Sequence, residues 1–327
     1  MPWEGAISSR SDVCAIVVTY HPDDALPVRL QALAREVGMV VVVDNGSRNA
    51  GPRLASIDLD CTLSVVLNPE NYGCARALNI GIRRAADAGF PWVLLMDQDS
   101  TVQSGMVGEL LAIRALHPQG ERLALIAAGY DDADRRAPRV RPRAPITGPW
   151  VDVDFVITSG SLLSVEAYST IGPFREELFI DCVDIDYCHR ARALGYRVAR
   201  SRRSLMTHVI GAPTSHRLLW MRRTTTNHSP DRRYYMARND TIMLRDYGGV
   251  SAWYVGWKSL QRSGRMIKRV LLYESMKLPK IAAIVQGWYH GNRGRLGPRT
   301  GPARAPVEAA AAGAVTVSDG RAPSHEG

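Results

Sequence analysis

Two carboxylates leave the end of one apolar run: Asp97-Gln98-Asp99 follows Trp92 to Met96 directly, so Asp97 and Asp99 stand two positions apart and can converge on one cation. Hard divalent ions such as Mg²⁺ take oxygen ligands and are commonly held by one or two carboxylates completed by substrate phosphates. A solvated turn is the plainer reading of such a pair. A second pattern, from Asn71 to Gly81, runs N-x-G-x-A-x-A-x-N-x-G through a loop and into a helix. Small residues there let the backbone approach a ligand, and a helix start offers free N–H groups to an anion. The same residues also suit a helix packed tightly on a sheet.

The elements that must position these groups follow from periodicity. β-Branched runs at 13–19, 39–43, 63–67, 92–96, 123–128, 151–157 and 196–200 read as strands. Helical patterns lie between them at 25–37, 74–88, 105–116 and 184–194. That alternation predicts βαβ units around a mostly parallel sheet, an α/β fold of Rossmann-like type. Such sheets bind ligands beyond the carboxyl ends of their strands. Four predicted strands end there in polar residues: Thr19 to Asp23, Asp44 to Ser47, Asn68 to Gly73, and Asp97 to Asp99.

Composition narrows the class. The 327 residues suffice for one large or two small domains, and 46% hydrophobic with 22% charged residues is ordinary for a globular protein. No apolar run reaches the roughly 18 residues of a membrane span, and the first residues lack a secretory pattern, so a cytoplasmic location is expected. The cysteines (Cys14, Cys61, Cys74, Cys182, Cys188) lack zinc-type spacing and are expected to be reduced thiols. The net charge of +9 is concentrated at the C-terminal end: residues 251–290 hold seven basic groups against Glu274 alone, while the first 250 residues are nearly neutral and contain no Lys. A neutral body without a binding motif argues against nucleic acid as partner, and the missing Lys argues against a phosphate-cradling nucleotidyl-transfer loop.

Four ordered segments, Thr19-Tyr20, Val43 to Ser47, Asn71 to Gly81, and Asp97 with Asp99, resemble the successive signatures of family-2 glycosyltransferases with the GT-A fold. The later segments Thr158 to Ser161, Leu178 to Arg190, Met206 to Gly211 and His228 to Asn239 resemble the rhamnosyltransferase branch, notably the enzymes that add a second sugar in rhamnolipid synthesis. The resemblance implies inverting transfer of L-rhamnose from dTDP-L-rhamnose to an amphiphilic glycolipid acceptor, mono-rhamnolipid becoming di-rhamnolipid. A cell-wall or O-antigen lipid intermediate is the alternative acceptor. It implies donor contacts from Thr19, Asp44 and Asn45, with Arg76 assisting, and a diphosphate clamp from Arg232, Arg233, Tyr235 and Arg238. Asp99, with His208, would hold Mg²⁺ or Mn²⁺, and Asp97 would lie near the donor ribose or the same metal.

An inverting transfer needs one carboxylate to take the acceptor hydroxyl's proton. Aligning on Cys188 and Arg190 places that base at Asp184. Val183 stands where relatives carry a preceding acid, leaving Asp181 as its replacement or as the base itself. Helix capping is expected to occupy one of Asp181, Asp184 and Asp186.

The organisation implied is a GT-A domain at 1–248, a basic amphipathic helical segment at 249–290, and a Gly, Pro and Ala-rich tail at 291–327 that is expected to be disordered. The helical segment mixes seven cations with three Trp. That combination suits peripheral attachment to the anionic inner face of the cell membrane, with packing on the catalytic body as the other reading.

Overall fold

The computed structural model describes residues 9–131, 148–207, 214–218, 221–225, 227–299 and 314–316. Its first half is the expected alternation: β1 (Val13–Thr19), α1 (Leu26–Ala34), β2 (Met39–Asp44), α2 (Ala50–Ala55), β3 (Thr62–Leu67), α3 (Cys74–Asp87), β4 (Trp92–Asp97), β5 (Thr101–Val102) and α4 (Met106–Leu116). The second half runs β6 (Leu123–Asp131), β7 (Trp150–Asp152), β8 (Ser161–Ser164), α5 (Val165–Ile171), α6 (Val183–Ala193), β9 (Arg197–Thr207), the hairpin β10 (Thr214–Leu218) and β11 (Met221–Thr225), and α7 (Pro230–Tyr247). It closes with α8 (Ala252–Tyr273), α9 (Lys277–Asn292) and β12 (Ala314–Thr316). The Arg- and Pro-rich stretch at 132–147, His208 and most of the tail lie outside the described residues.

The main sheet has the order β12-β3-β2-β1-β4-β8-β6-β9-β5, with β7 beside β9. Strands β3, β2, β1 and β4 are parallel, and their register aligns Thr19 with Asp44 and Val18 with Asp97. The polar residues after these strands therefore emerge along one edge. β1 and β2 are buried on both faces because helices cover each side, which is why they read as unbroken apolar runs. One core lies on the α3 and α6 side, the other on the α1 and α4 side.

Two differences from the sequence reading shape the site. Strand β8, too short to show a period, lies antiparallel between β4 and β6 and interrupts the parallel order. The strand expected over 151–157 stops at Asp152, and the chain that follows instead delivers Phe155, Ile157 and Thr158 to a cleft.

Helix α3 sits close on β1 and β2 because Gly81 has no side chain: a Cβ there would collide with a methyl of Ile16 and approach Val43 at 3.3 Å. Gly108, exposed in α4, has open space around it. Gly81→Ala is expected to destabilise the protein by about 1–3 kcal/mol through overpacking. Gly108→Ala is expected to stabilise it by about 0.5–1 kcal/mol by helix propensity. Urea unfolding of the two variants reads both signs.

Candidate active site

At the carboxyl ends of the parallel strands opens a cleft of about 900 Å³. Its polar lining comes from Asn45, Asp97, Gln98, Asp99, Asp181, Asp184, Arg232, Asp240 and three arginines of α8; Phe155, Phe179, Ile180, Ile185 and Met236 supply apolar wall. Five carboxylates from three separate stretches of chain thus share one cavity.

The Asp97–Asp99 turn is pinned from both sides. The Asp97 N–H donates to Ser159 Oγ at 3.1 Å, and Ser159 is bonded to Ser100. Gln98 exchanges bonds with the backbone of Tyr20, donating to its carbonyl and accepting from its N–H at 2.7 Å. This couples the ends of β1 and β4. Asp44 is wholly buried and accepts from Thr19 Oγ1 at 2.8 Å and from the Ser47 N–H and hydroxyl at 2.7 Å each. Thr19 and Asp44 therefore form a fixed buttress behind the cleft. Asn45 lines it, donating to the Gly73 carbonyl and accepting from Asn68.

Gly73 begins α3 at φ +86°, and a Cβ there would lie 2.6 Å from the Phe179 carbonyl oxygen. That carbonyl accepts from the Cys74 N–H at 2.7 Å, so the helix start binds backbone of this chain. Asn79, fully buried, fixes the approach: it donates to the Phe174 carbonyl and to Glu176, and accepts from the Phe174 N–H and Tyr168. The glycine and asparagine pattern of residues 71–81 thus holds the stretch that leads to the acids.

That stretch is conformationally costly. Phe179, Asp181 and Cys182 all have positive φ, at 68°, 64° and 62°. Non-glycine residues adopt such angles only where surroundings enforce them, at about 1–3 kcal/mol each. The enforcement comes from α7. Asn239 Nδ2 donates to the carbonyls of Leu178, Ile180 and Asp181 at 2.7–2.9 Å. Arg238 donates to those of Glu177 and Leu178, and Tyr235 stacks on Phe179 with ring centres 4.8 Å apart. Asn239 closes the 228–239 segment with no local sign of this role; its signal, a buried polar residue on an internal helix, exists only in three dimensions.

The three acids after this turn have three environments. Asp186 is fully buried and bound by Arg190 at 2.9 Å and Tyr247 at 2.7 Å, away from the cleft. Asp181 pairs with Arg232 at 3.2 Å, and its second oxygen has no hydrogen-bond partner among the described residues. Burial raises its pKa, and Arg232 opposes the shift. Asp184 is pushed up to about 6 by burial first, with the charges of Asp181 and Asp97 adding to it; the Ile185 N–H, at 2.8 Å, partly holds it down. An acid so poised is ionised at neutral pH yet basic enough to take a proton.

The remaining expected residues fall elsewhere. Arg233 is buried in an ion pair with Glu274, which also binds Lys280 at 3.0 Å. Arg238 is spent on carbonyls, and Tyr235 accepts from the Arg299 N–H at 2.7 Å. These three support the floor and do not line the cleft; Arg232 does. Arg76 lies over the Tyr72 ring, 4.1 Å from its centre, outside the lining. His208 is outside the described residues. Among the described residues no group of three His, Cys, Asp or Glu side chains is set to hold a metal. Asp97 and Asp99 nonetheless offer hard oxygen donors that suit a divalent cation whose other ligands are substrate phosphates.

The seven cations of the basic segment divide between cleft, interior and outer surface. Arg262, Arg265 and Arg269 turn into the cleft and Lys280 is buried, because α8 and α9 pack on α7. Spacing alone puts the three arginines on one helical face, but which way that face turns is set by the packing of α8 on α7.

With this geometry in place, the comparisons with known proteins converge. Residues 14–119 match the model of glycosyl transferase family 2, the stretch that carries β1 to β4 and the Asp97–Asp99 turn. Over residues 14–119 the chain thus carries a family-2 glycosyltransferase domain, and its helix-flanked sheet has the GT-A fold. Among curated proteins it is similar to a dTDP-rhamnosyl transferase, RfbF of Shigella flexneri, at 29% identity over 249 residues, covering 72% of this chain and 81% of that one. Among solved structures it resembles S. aureus TarS 1–349 in complex with UDP-GlcNAc, with a TM-score of 0.50, 15% identity, and 85% of this chain and 81% of that one covered. It also resembles GalNAc-T7 with UDP, GalNAc and Mn²⁺, with a TM-score of 0.54, 13% identity, and 86% of this chain covered. The chain spans 56% of the length of GalNAc-T7 and 44% of a longer TarS chain.

Asn239→Ala removes the amide from the Ile180 and Asp181 carbonyls, leaves that of Leu178 to Arg238, and is expected to cost about 1–3 kcal/mol of stability. It is also expected to slow transfer per folded molecule, because the acid turn loses its clamp. Urea unfolding and initial rates check this, and wild-type values of both would remove Asn239 from the account.

Proposed function

We propose that the protein transfers L-rhamnose from dTDP-L-rhamnose, with inversion, to a sugar hydroxyl of an amphiphilic glycolipid, a rhamnolipid being the acceptor the sequence resemblance favours. The observation that carries the reaction type is the single cleft in which Asp184, with its raised pKa, sits with the strand-end pair Asp97 and Asp99. The donor sugar rests on the similarity to a dTDP-rhamnosyl transferase. A cell-wall or O-antigen lipid intermediate presents the same kind of hydroxyl and is the second reading, favoured by the arginines that face the cleft.

In this reading the thymine lies against Asn45 and the Thr19–Asp44 buttress, and the diphosphate reaches Asp97, Asp99 and Arg232. A divalent cation at Asp97 and Asp99, when bound, neutralises charge growing on the leaving diphosphate. Arg232, paired with Asp181, adds positive charge on the same side. Asp184 accepts the acceptor's proton as its oxygen attacks the anomeric carbon from the face opposite the nucleotide. Asp181, one oxygen unpartnered, helps keep Asp184 basic. The exposed apolar residues Trp253, Trp257, Leu260, Leu271 and Leu278, together with Lys258, Lys268 and Lys277, support peripheral attachment to an anionic membrane. No described helix is long and apolar enough to cross one.

Asp99→Asn is expected to abolish nearly all turnover with the fold intact, and chelator is expected to silence the wild type reversibly; full activity in excess EDTA would remove the metal. Asp184→Asn is expected to cut transfer by about 10² to 10⁴-fold while donor binding persists, with Asp181→Asn as comparison. If Asp181→Asn carries the defect instead, the base is Asp181.

Asp184 also links pH to stability. Because its folded pKa of about 6 exceeds the ordinary 3.8, the stabilising contribution of the neutral carboxyl is complete below about pH 4 and lost as pH rises through 6. Asp184→Asn is therefore expected to stabilise the protein at pH 7.5 and leave it unchanged at pH 4, read by urea unfolding at both values.

A further inference from the structure

Helix α8 presents Arg262, Arg265, Met266 and Arg269 to the cleft, at spacing i, i+3, i+4 and i+7, which is one helical face. The face is fixed in orientation. Arg262 pairs with Asp240 at 2.6 Å, Ser259 accepts from Trp288 at 3.0 Å, and Val270 is fully buried. Arg265 and Arg269 differ from Arg262: both are exposed to the cleft, and neither forms an ion pair at bonding distance among the described residues, although Arg265 is near enough to Asp240 to act on its charge. The positive charge they leave is felt nearby, since Arg269 disfavours the charge on Arg233. Three guanidinium groups on one face with a single carboxylate between them form a local cationic field in a cavity whose opposite wall is acidic.

The field lies on the acceptor side of the chemistry. Arg232 is the cation that senses Asp97, whereas Arg262 and Arg265 act on Asp240, and Arg262 on Cys182 at the start of α6. In the proposed function the donor diphosphate takes the Asp97–Asp99 end. In the proposed reaction the acceptor must reach Asp184 from the face opposite the departing nucleotide, and α8, whose arginines neighbour Asp240 and the start of α6, is the helix placed to meet it.

We infer that Arg265 and Arg269 form a subsite for an oxyanion carried by the acceptor, a phosphate or carboxylate joined to an apolar chain. Guanidinium groups match such oxygens in pairs, and Met266 between them offers the apolar contact that a free anion would not use. The inference rests on the glycosyl-transfer reading for its direction, and it defines the acceptor as anionic beside its tail.

The test uses the full chain with Mg²⁺ and octyl phosphate below its micellar concentration, titrated calorimetrically with and without saturating dTDP. Octyl glucoside and inorganic phosphate are the comparison ligands. Octyl phosphate is expected to bind at least tenfold more tightly than either. Arg265→Gln with Arg269→Gln is expected to weaken it at least tenfold, leaving dTDP affinity unchanged; both side chains are exposed, so thermal unfolding should match the wild type. Lys268→Gln, on the outer side of α8, is expected to change nothing. Wild-type binding of octyl phosphate by the double variant, or no binding by the wild type, overturns the subsite. A parallel loss of dTDP affinity assigns the arginines to the donor and also overturns it, and equal binding of inorganic phosphate removes the tail. Absence of dTDP binding by the wild type instead counts against the proposed donor, while the nucleotide-free titration still decides the arginines.

Discussion

The side-chain amide of Asn239 is the constraint on which the site depends. One NH2 group shares its two hydrogens among three carbonyls of a turn whose backbone contains three non-glycine residues at positive φ. Water or a regular helix would relax that turn; a buried amide with few alternative partners does not. Once residues 178–182 are held, Asp181 and Asp184 face the cleft while Asp186 turns inward to Arg190 and Tyr247. Three acids spaced two or three apart are thereby sorted into a paired group, a poised group and a structural group by direction alone.

The clamp in turn draws on both halves of the chain. From the sheet side, Gly73, Cys74 and Asn79 hold the Phe179 carbonyl and the approach at Phe174 and Glu176. From the helical side, α9 must come close to α7, and it does so through Gly287 and Gly291, where a Cβ would meet backbone of α7. The residues that position the acids are thus spread over more than 200 positions of sequence.

This distribution explains what could be read in advance. The strand ends were legible because β1 to β4 are buried on both faces and so appear as apolar runs, each followed at once by its polar residue. Asp97 and Asp99 were legible for the same reason, whereas Asp181 and Asp184 were reached through the family resemblance, with the choice between them left open. The roles of Arg233 and Arg238 were not. A run of arginines on one helix says nothing about which points to Glu274, which to carbonyls, and which to a cavity. Helix α8 left two readings open, an outward stripe or a packed face, because the sequence does not reveal that a third element covers one side. Strand β8 left no trace at four residues.

The Arg233–Glu274–Lys280 cluster has one further consequence. All three side chains are almost completely removed from solvent, so mobile ions cannot reach them and their attraction is not screened as surface charge is. Breaking such a cluster costs about 3–5 kcal/mol when one partner is lost. Ionic strength therefore acts selectively on this molecule. It weakens Lys258, Lys268 and Lys277 on the outside and Arg265 and Arg269 in the cleft, while the joint between α7 and the last two helices stays closed. Salt can loosen what the enzyme holds without loosening the enzyme.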